Sequence, residues 1–370
     1  MAEWQHLVDH LADELVQRGQ LTDPLWQNVF RQTPRHLFLP DRDLADAYAN
    51  DAVVTQQRPA PVAGGEPMLL PTSSASAPSA VAVMLDRLEV QDGDRVLEIG
   101  TGTGYNTALL CGRLGDDHVV SIDLDPDLVD TARTRLAELG FGPRLVARDG
   151  TDGVPDGAPY DRILATCAVT QVPPAWIRQL APNGRLVAPL HGAADAALMV
   201  FDKTADDEVT GRFDPELTSF MPLRPQLGNP LVDGGTIGWA VPLMAADGTT
   251  TLDPVVMVDP DPDLALFVHL HIPSLAVFTT DVSDGPRTIS VGDSTAVAEV
   301  NVDPTSPGVW TVHQRGPRRL WDTVEHAVWL WGHLGKPRRD RYGISALDRT
   351  DRQYIWLDDP YGPYSWPLPL

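Results

Sequence analysis

Residues 95–105, RVLEIGTGTGY, decide how the rest of the chain is read. Arg95-Val96-Leu97-Glu98-Ile99 has the make-up of a short buried strand, Gly100-Thr101-Gly102-Thr103-Gly104 breaks it into a tight turn, and residues 106–114 read as a helix. Glycines between a strand and a helix let backbone N–H groups come close to a ligand, because no Cβ stands in the way. In an open α/β sheet the first such turn is where a nucleotide sits. The dinucleotide fingerprint G-x-G-x-x-G needs glycine at 105, where Tyr105 stands; the pattern here is G-x-G-x-G behind Glu98.

That pattern resembles the S-adenosyl-L-methionine loop of class I methyltransferases. Downstream, residues 119–123 (VVSID) form a second apolar strand ending in a carboxylate. An acid about 20 positions beyond such a loop is placed to accept both ribose hydroxyls of a nucleoside. Asp123 is the candidate and Asp125 its competitor. Residues 128–139 read as a helix ended by Gly140, and residues 144–147 as a third strand leading to Arg148-Asp149-Gly150. Residues 160–165 make a fourth strand, residues 176–180 a helix, and Asn183-Gly184 turns into the apolar run 185–189. Strands alternating with helices predict a doubly wound α/β sheet, with its ligand at the carboxyl ends of the strands.

Upstream, residues 2–18 place Trp4, Leu7, Val8, Leu11 and Leu15 on one helical face, stopped by Gly19. Asp23-Pro24 is a cap and first position for a second helix carrying Leu25, Trp26, Val29 and Phe30. An RHLFLP turn (35–40) and an AYAND segment (47–51) follow. Residues 58–78, rich in Pro, Gly, Ser and Ala, have the composition of a linker. A strong helical face resumes directly after them with Val81, Met84, Leu85 and Leu88, which argues for an ordered segment.

Taken together, these segments resemble the protein-L-isoaspartate O-methyltransferases over roughly residues 30–225. The shared features are an R-H-x-F-x-P turn leading to an A-Y segment ending in aspartate, a P-Y-D-x-I strand, a helix ending Q-L, and G-R-L-V-x-P. Arg148-Asp149-Gly150 matches the family's G-D-G at two of three positions, and Ser74-Ala75-Ser76-Ala77-Pro78 is similar to its T-I-S-Q-P. Serine replaces threonine at 74, and alanines replace the isoleucine and glutamine. The resemblance implies a class I, Rossmann-like methyltransferase sheet with helices on both faces and S-adenosyl-L-methionine as cofactor. It assigns Glu98, Gly100, Thr101, Gly102, Gly104, Asp123, Asp149 and Gly150 to the cofactor, with Asp149 facing the adenine amino group. Ser76 falls on the substrate-facing serine and Ser74 beside it, as the catalytic pair; an ordinary serine helix cap before Pro78 is the other reading.

The bulk numbers bound this picture. A chain of 370 residues with 43% hydrophobic content supports a sizeable core. A net charge of −23 argues against non-specific nucleic-acid binding. No apolar run reaches the ~20 residues of a membrane span, and residues 1–10 show no signal-peptide pattern, so a soluble cytoplasmic protein is expected. Cys111 and Cys167 read as buried structural thiols, and no Cys/His spacing marks a metal site.

Residues 226–370 are predicted as an α+β extension behind a catalytic domain of residues 1–225. Strands are expected at 264–268, 275–279, 287–291, 296–300 and 309–312, and a helix at 320–333 with Trp321, Val324, Val328 and Trp331 on one face. His269 and His271 share a face if residues 266–271 are a strand; lacking a carboxylate or cysteine partner, they read as structural. Six of the ten tryptophans lie at or beyond Trp310, and Arg315, Arg318, Arg319, Lys336, Arg338, Arg339 and Arg341 cluster in an otherwise acidic chain. Such a face fits peptide recognition, with Arg338 and Arg339 as contacts; a Trp-rich packing layer with arginines at its rim is the alternative. An ordinary family member of this kind ends near residue 225. This longer form resembles homologues that accompany ribosomally made, modified peptides, including graspetides and lanthipeptides. The implied reaction is methylation of an aspartate or isoaspartate of a cyclised peptide, the ester collapsing to an aspartimide. The alternative is a general isoaspartate repair enzyme with an added domain.

Overall fold

The computed structural model describes residues 3–60, 68–191, 197–224, 247–273, 275–280, 287–293, 295–349 and 352–368. Two helices open the chain, α1 (Glu3–Gln17) and α2 (Pro24–Gln32), the second capped by the Asp23 side chain accepting from Leu25 N–H. After the one-turn helix Arg35–Phe38 and α3 (Leu44–Tyr48), strands β1 (Val53–Ala60) and β2 (Met68–Ala75) pair antiparallel as a separate two-stranded sheet. The Pro/Gly/Ser-rich stretch is therefore largely strand, and its residues 61–67 lie outside the described residues. Helix α4 (Pro78–Leu88) has Ala77 as its cap with no side-chain cap bond, so the serine-cap reading fails: Ser76 stands one residue too early.

The alternating region follows its prediction closely. It runs β3 (Val96–Ile99), α5 (Tyr105–Leu114), β4 (Val119–Asp123), α6 (Pro126–Glu138), β5 (Arg144–Ala147), β6 (Tyr160–Ala165), α7 (Pro174–Gln179) and β7 (Leu180–Leu190). Strands β8 (Ala197–Ala205) and β9 (Glu208–Leu217) add on antiparallel. Across the parallel part the order is β7-β6-β3-β4-β5, so the chain leaves β3 toward β4 and later returns to its other side. That reversal opens a crevice at the carboxyl ends of β3, β4 and β6.

Beyond residue 246 come β10 (Gly248–Thr250), α8 (Pro262–His271), β11 (Ala276–Thr280), β12 (Thr288–Gly292), β13 (Val297–Asn301), β14 (Trp310–Arg315), α9 (Leu320–His333), β15 (Tyr342–Leu347), β16 (Gln353–Leu357) and β17 (Ser365–Pro367). The strand expected at 264–268 is instead α8. Asp261 caps it by accepting from Asp263 N–H, and Pro262 fills its first position. Its run is apolar on all sides, so periodicity alone could not separate helix from strand. On a helix His269 and His271 do not share a face.

The expected division at residue 225 does not describe the packing. β10-β14-β13-β12-β11 form a sheet of their own, but β15, β16 and β17 continue the catalytic sheet, giving ten strands in the order β17-β16-β15-β9-β8-β7-β6-β3-β4-β5. Alternate strand residues feed two cores. Val96, Leu164, Val187 and Leu198 meet α1, α2, α4 and α5 on one face. Leu97, Ile99, Ile163 and Leu186 share the other with Trp176 of α7 and with Phe267, Ile289, Trp321 and Tyr342 of the extension. Among the described residues no helix is long and apolar enough to cross a membrane.

Candidate active site

The turn after β3 is built to be close to something. Gly100, Gly102 and Gly104 have φ of +101°, +52° and +91°, the left-handed region where a Cβ is costly. A Cβ at Gly100 would lie 2.6 Å from Thr166 Oγ1, and one at Gly104 3.1 Å from Ala132 Cβ. The loop is pinned to β4: Gly100 N–H donates to Ile122 O (2.8 Å), and Gly102 N–H to Asp123 Oδ2 (2.9 Å). Thr101 Oγ1 lies 2.6 Å from Ser121 Oγ.

Glu98 works from behind this loop. It is fully buried, and its carboxylate takes Asn106 Nδ2 (2.7 Å), Thr107 Oγ1 (2.5 Å) and Ser121 Oγ (2.6 Å), tying the first turn of α5 to β4. Burial pushes its carboxyl from the ordinary 4.5 up to about 7, against those hydrogen bonds. Both oxygens are engaged, so Glu98 shapes the loop and does not line the crevice.

Asp123 stands at the carboxyl end of β4, with Oδ1 accepting from Asp125 N–H (3.1 Å) and lying 3.5 Å from Arg224 Nη2. Its competitor is otherwise occupied. Asp125 caps α6, and its Oδ2 receives Gln56 Nε2 (2.9 Å) and Arg58 Nη2 (2.6 Å) from β1. Burial would raise the Asp125 carboxyl, but Gln56, the Asp127 N–H and Arg58 outweigh it and hold it below its usual value. Leu124, between the two acids, is an exposed apolar side chain that the sequence reading passed over. Asp149 accepts from Thr151 N–H (2.8 Å) and caps the one-turn helix Gly150–Asp152. A Cβ on Gly150 would lie 2.7 Å from Ile99 Cγ2, so glycine is needed for this turn to close on β3.

The hairpin β1–β2 roofs the same loop. A Cβ on Gly102 would point at Ser74 O (3.7 Å) and Ser73 Oγ (3.8 Å). Ser74 therefore lies over the glycine loop. Ser76, half-buried, is fixed through its backbone: Arg35 Nη2 donates to Ser76 O (3.0 Å). Arg35 is fully buried, also donates to Ala47 O (2.6 Å), and sits 5.7 Å from the Tyr105 ring centroid. It gathers the entry segment, the serine segment and the start of α5. Sequence reading took the RHLFLP turn as a resemblance without a role; an arginine before an aromatic in an apolar turn was the available signal.

An open crevice, a glycine cradle, a strand-end carboxylate and an apolar residue beside it fit the adenosine part of S-adenosyl-L-methionine. Asp123 is the residue that could accept two vicinal hydroxyls, and Leu124 the one that could lie against the base.

Arg338 and Arg339 separate. Arg338 is open to solvent, 3.7 Å from Asp340. Arg339 is 5% exposed, and its Nε and N–H both donate to Asp263 Oδ1 (2.9 and 3.1 Å), so it fastens this segment to α8 and presents no charge to a peptide. Arg318 pairs with Asp293, Arg319 with Asp322 and Arg341 with Asp358. Trp321, Trp331 and Trp356 are buried. The packing-layer reading fits these residues better than a basic aromatic face. His269 is buried, while His271 bonds Phe267 O through Nδ1 (2.8 Å) and receives Trp366 Nε1 (3.4 Å).

The family described as protein-L-isoaspartate(D-aspartate) O-methyltransferase matches residues 5–227. A protein-L-isoaspartate O-methyltransferase 2 of Archaeoglobus fulgidus is 34% identical over 222 residues, 60% of this chain and 94% of that one. One of Methanococcoides burtonii is 36% identical over 204 residues, 55% and 93% of the two chains. A solved structure titled protein-L-isoaspartate O-methyltransferase superposes with a TM-score of 0.55 at 22% identity. It covers 95% of this chain and 99% of its own, so its fold likeness reaches into the extension.

Proposed function

The chain belongs to the protein-L-isoaspartate(D-aspartate) O-methyltransferase family, carboxyl methyltransferases using S-adenosyl-L-methionine, and from that premise we propose which carboxylate it methylates: the side-chain carboxylate of an aspartate, or the free α-carboxylate of an isoaspartate, in a cyclised, ribosomally made peptide. The observation that supports this site is that the hairpin bearing Ser73 and Ser74 lies over the glycine loop. The cofactor supplies an electrophilic methyl group on a sulfonium. Asp123 holds the ribose hydroxyls, Asp149 the adenine amino group, and Glu98 keeps the loop in shape from behind. Ser76 orients a carboxylate oxygen or the adjoining peptide, with Ser74 assisting. An aspartate side chain, with an ordinary pKa of about 3.9, is already ionised at neutral pH, so no general base is needed. Alignment and partial desolvation of the carboxylate carry the rate.

The methyl ester is then open to the next backbone nitrogen. The new N–C bond closes a five-membered aspartimide as the C–OCH3 bond breaks, and methanol leaves with the amide proton. The long extension and its resemblance to peptide-tailoring homologues support this specialised substrate. The second reading, general isoaspartate repair with an added domain, is favoured by the solved structure whose whole length matches this chain. Mass spectrometry separates them. Enzyme and S-adenosyl-L-methionine are given a generic isoaspartyl peptide and a ring-closed peptide carrying one free aspartate. One methyl gained and methanol then lost, on the cyclised peptide alone, is the expected outcome. Comparable methylation of the generic peptide establishes repair and discards the tailoring reading.

A further inference from the structure

Arg224 lies where the proposed reaction has no assigned residue. It is placed by a short ladder at the carboxyl edge of the sheet: Ala168 N–H donates to Met221 O (2.8 Å), and Leu223 N–H to Ala168 O (2.7 Å). From that anchor beside β6 its side chain reaches Asp123 at the end of β4, crossing the strand-end crevice above β3. The contact is loose, 3.5 Å with the arginine side chain one-third exposed. The Asp123 carboxylate also accepts from the backbone N–H groups of Gly102 and Asp125. A nucleoside seated on Asp123 therefore displaces Arg224 and leaves the backbone bonds in place.

We propose that Arg224 is a cofactor-released cation for the substrate carboxylate: it rests on Asp123 in the free chain and, once ribose takes Asp123, pairs with the acidic group of the peptide. This rests on the cofactor reading given above. Two facts favour it. An anionic peptide approaching a chain of net charge −23 needs a local cation. Arg35 is committed to buried carbonyls and Arg58 to Asp125. The consequence is positive coupling: whatever occupies Asp123 strengthens peptide binding, and the reverse.

The test is calorimetric. Affinity is measured for the peptide methylated in the preceding experiment, and for its counterpart with asparagine at the target position. Each is titrated with and without saturating S-adenosylhomocysteine. In the parent protein the homocysteine should tighten the acidic peptide by about fivefold or more and leave the asparagine peptide unchanged. Arg224→Met should lose that coupling while binding S-adenosylhomocysteine at least as tightly as the parent, and Arg224→Lys should keep part of it. Equal peptide affinity with and without S-adenosylhomocysteine in the parent overturns the proposal, as does coupling that persists in Arg224→Met. Loss of S-adenosylhomocysteine affinity in Arg224→Met also overturns it and makes the residue a cofactor ligand. If the parent binds no S-adenosylhomocysteine, the cofactor reading fails first and this one with it.

Discussion

Glu98 shows how a residue in a ligand-binding motif can serve the motif without facing the ligand. Its carboxyl keeps a proton up to about pH 7 when folded and releases it at the ordinary 4.5 when unfolded. Between those values the folded state binds more protons, so stability falls as pH rises through that window and levels off above it. Glu98→Gln carries no charge at any pH, and its amide can donate to Thr107 or Ser121 once a hydroxyl turns. Relative to the parent it should gain on the order of 2–3 kcal/mol of stability between about pH 5 and pH 8. Urea denaturation at the two pH values checks this; a difference independent of pH would mean Glu98 is ionised throughout. The two acids after β4 teach a complementary lesson. Position in the sequence favoured Asp123 over Asp125, and the hairpin's Gln56 and Arg58, about seventy residues upstream, show that Asp125 is already engaged.

At the scale of elements the hairpin β1–β2 is the piece whose attachment matters. It is latched through one carboxylate: Thr72 Oγ1 donates to Gln56 Oε1 (2.6 Å), and Gln56 and Arg58 donate to Asp125. Because the Asp125 carboxyl is held below its usual 3.8, the latch contributes fully above that value and is lost as pH falls through the lowered one. The double variant Gln56→Ala/Arg58→Ala should exchange backbone amides of β1 and β2 about tenfold faster by hydrogen-exchange mass spectrometry, with β3 and β4 unchanged. Equal protection in the variant would place the hairpin's stability in its own pairing. The misread element, α8, had its answer in the sequence: Asp261-Pro262 is a helix start, and it was outweighed by an apolar run that fits either period.

At the scale of the molecule, the extension finishes the catalytic sheet. Gln353 of β16 is buried, accepts from Val172 N–H (2.8 Å) and donates to Val172 O (2.7 Å), closing the segment that follows β6. Gln353→Ala leaves both Val172 groups without a protein partner, at roughly 1–3 kcal/mol for each. Tryptophan fluorescence, weighted to the C-terminal half, should melt together with cofactor-site circular dichroism in one transition, and Gln353→Ala should lower both midpoints alike. Two separated transitions would restore an independent C-terminal domain. The sequence by itself determined the βαβ order, the glycine loop and the strand-end acid, because each is written in local period, turn chemistry or spacing within a few dozen residues. Only the tertiary structure decided that residues 342–367 extend the catalytic sheet, that Arg339 is a buried fastener, and that Arg35 and Arg224 reach the site. Strand partners and ion pairs far apart in the chain are chosen by packing against the whole core, and no local pattern records that choice.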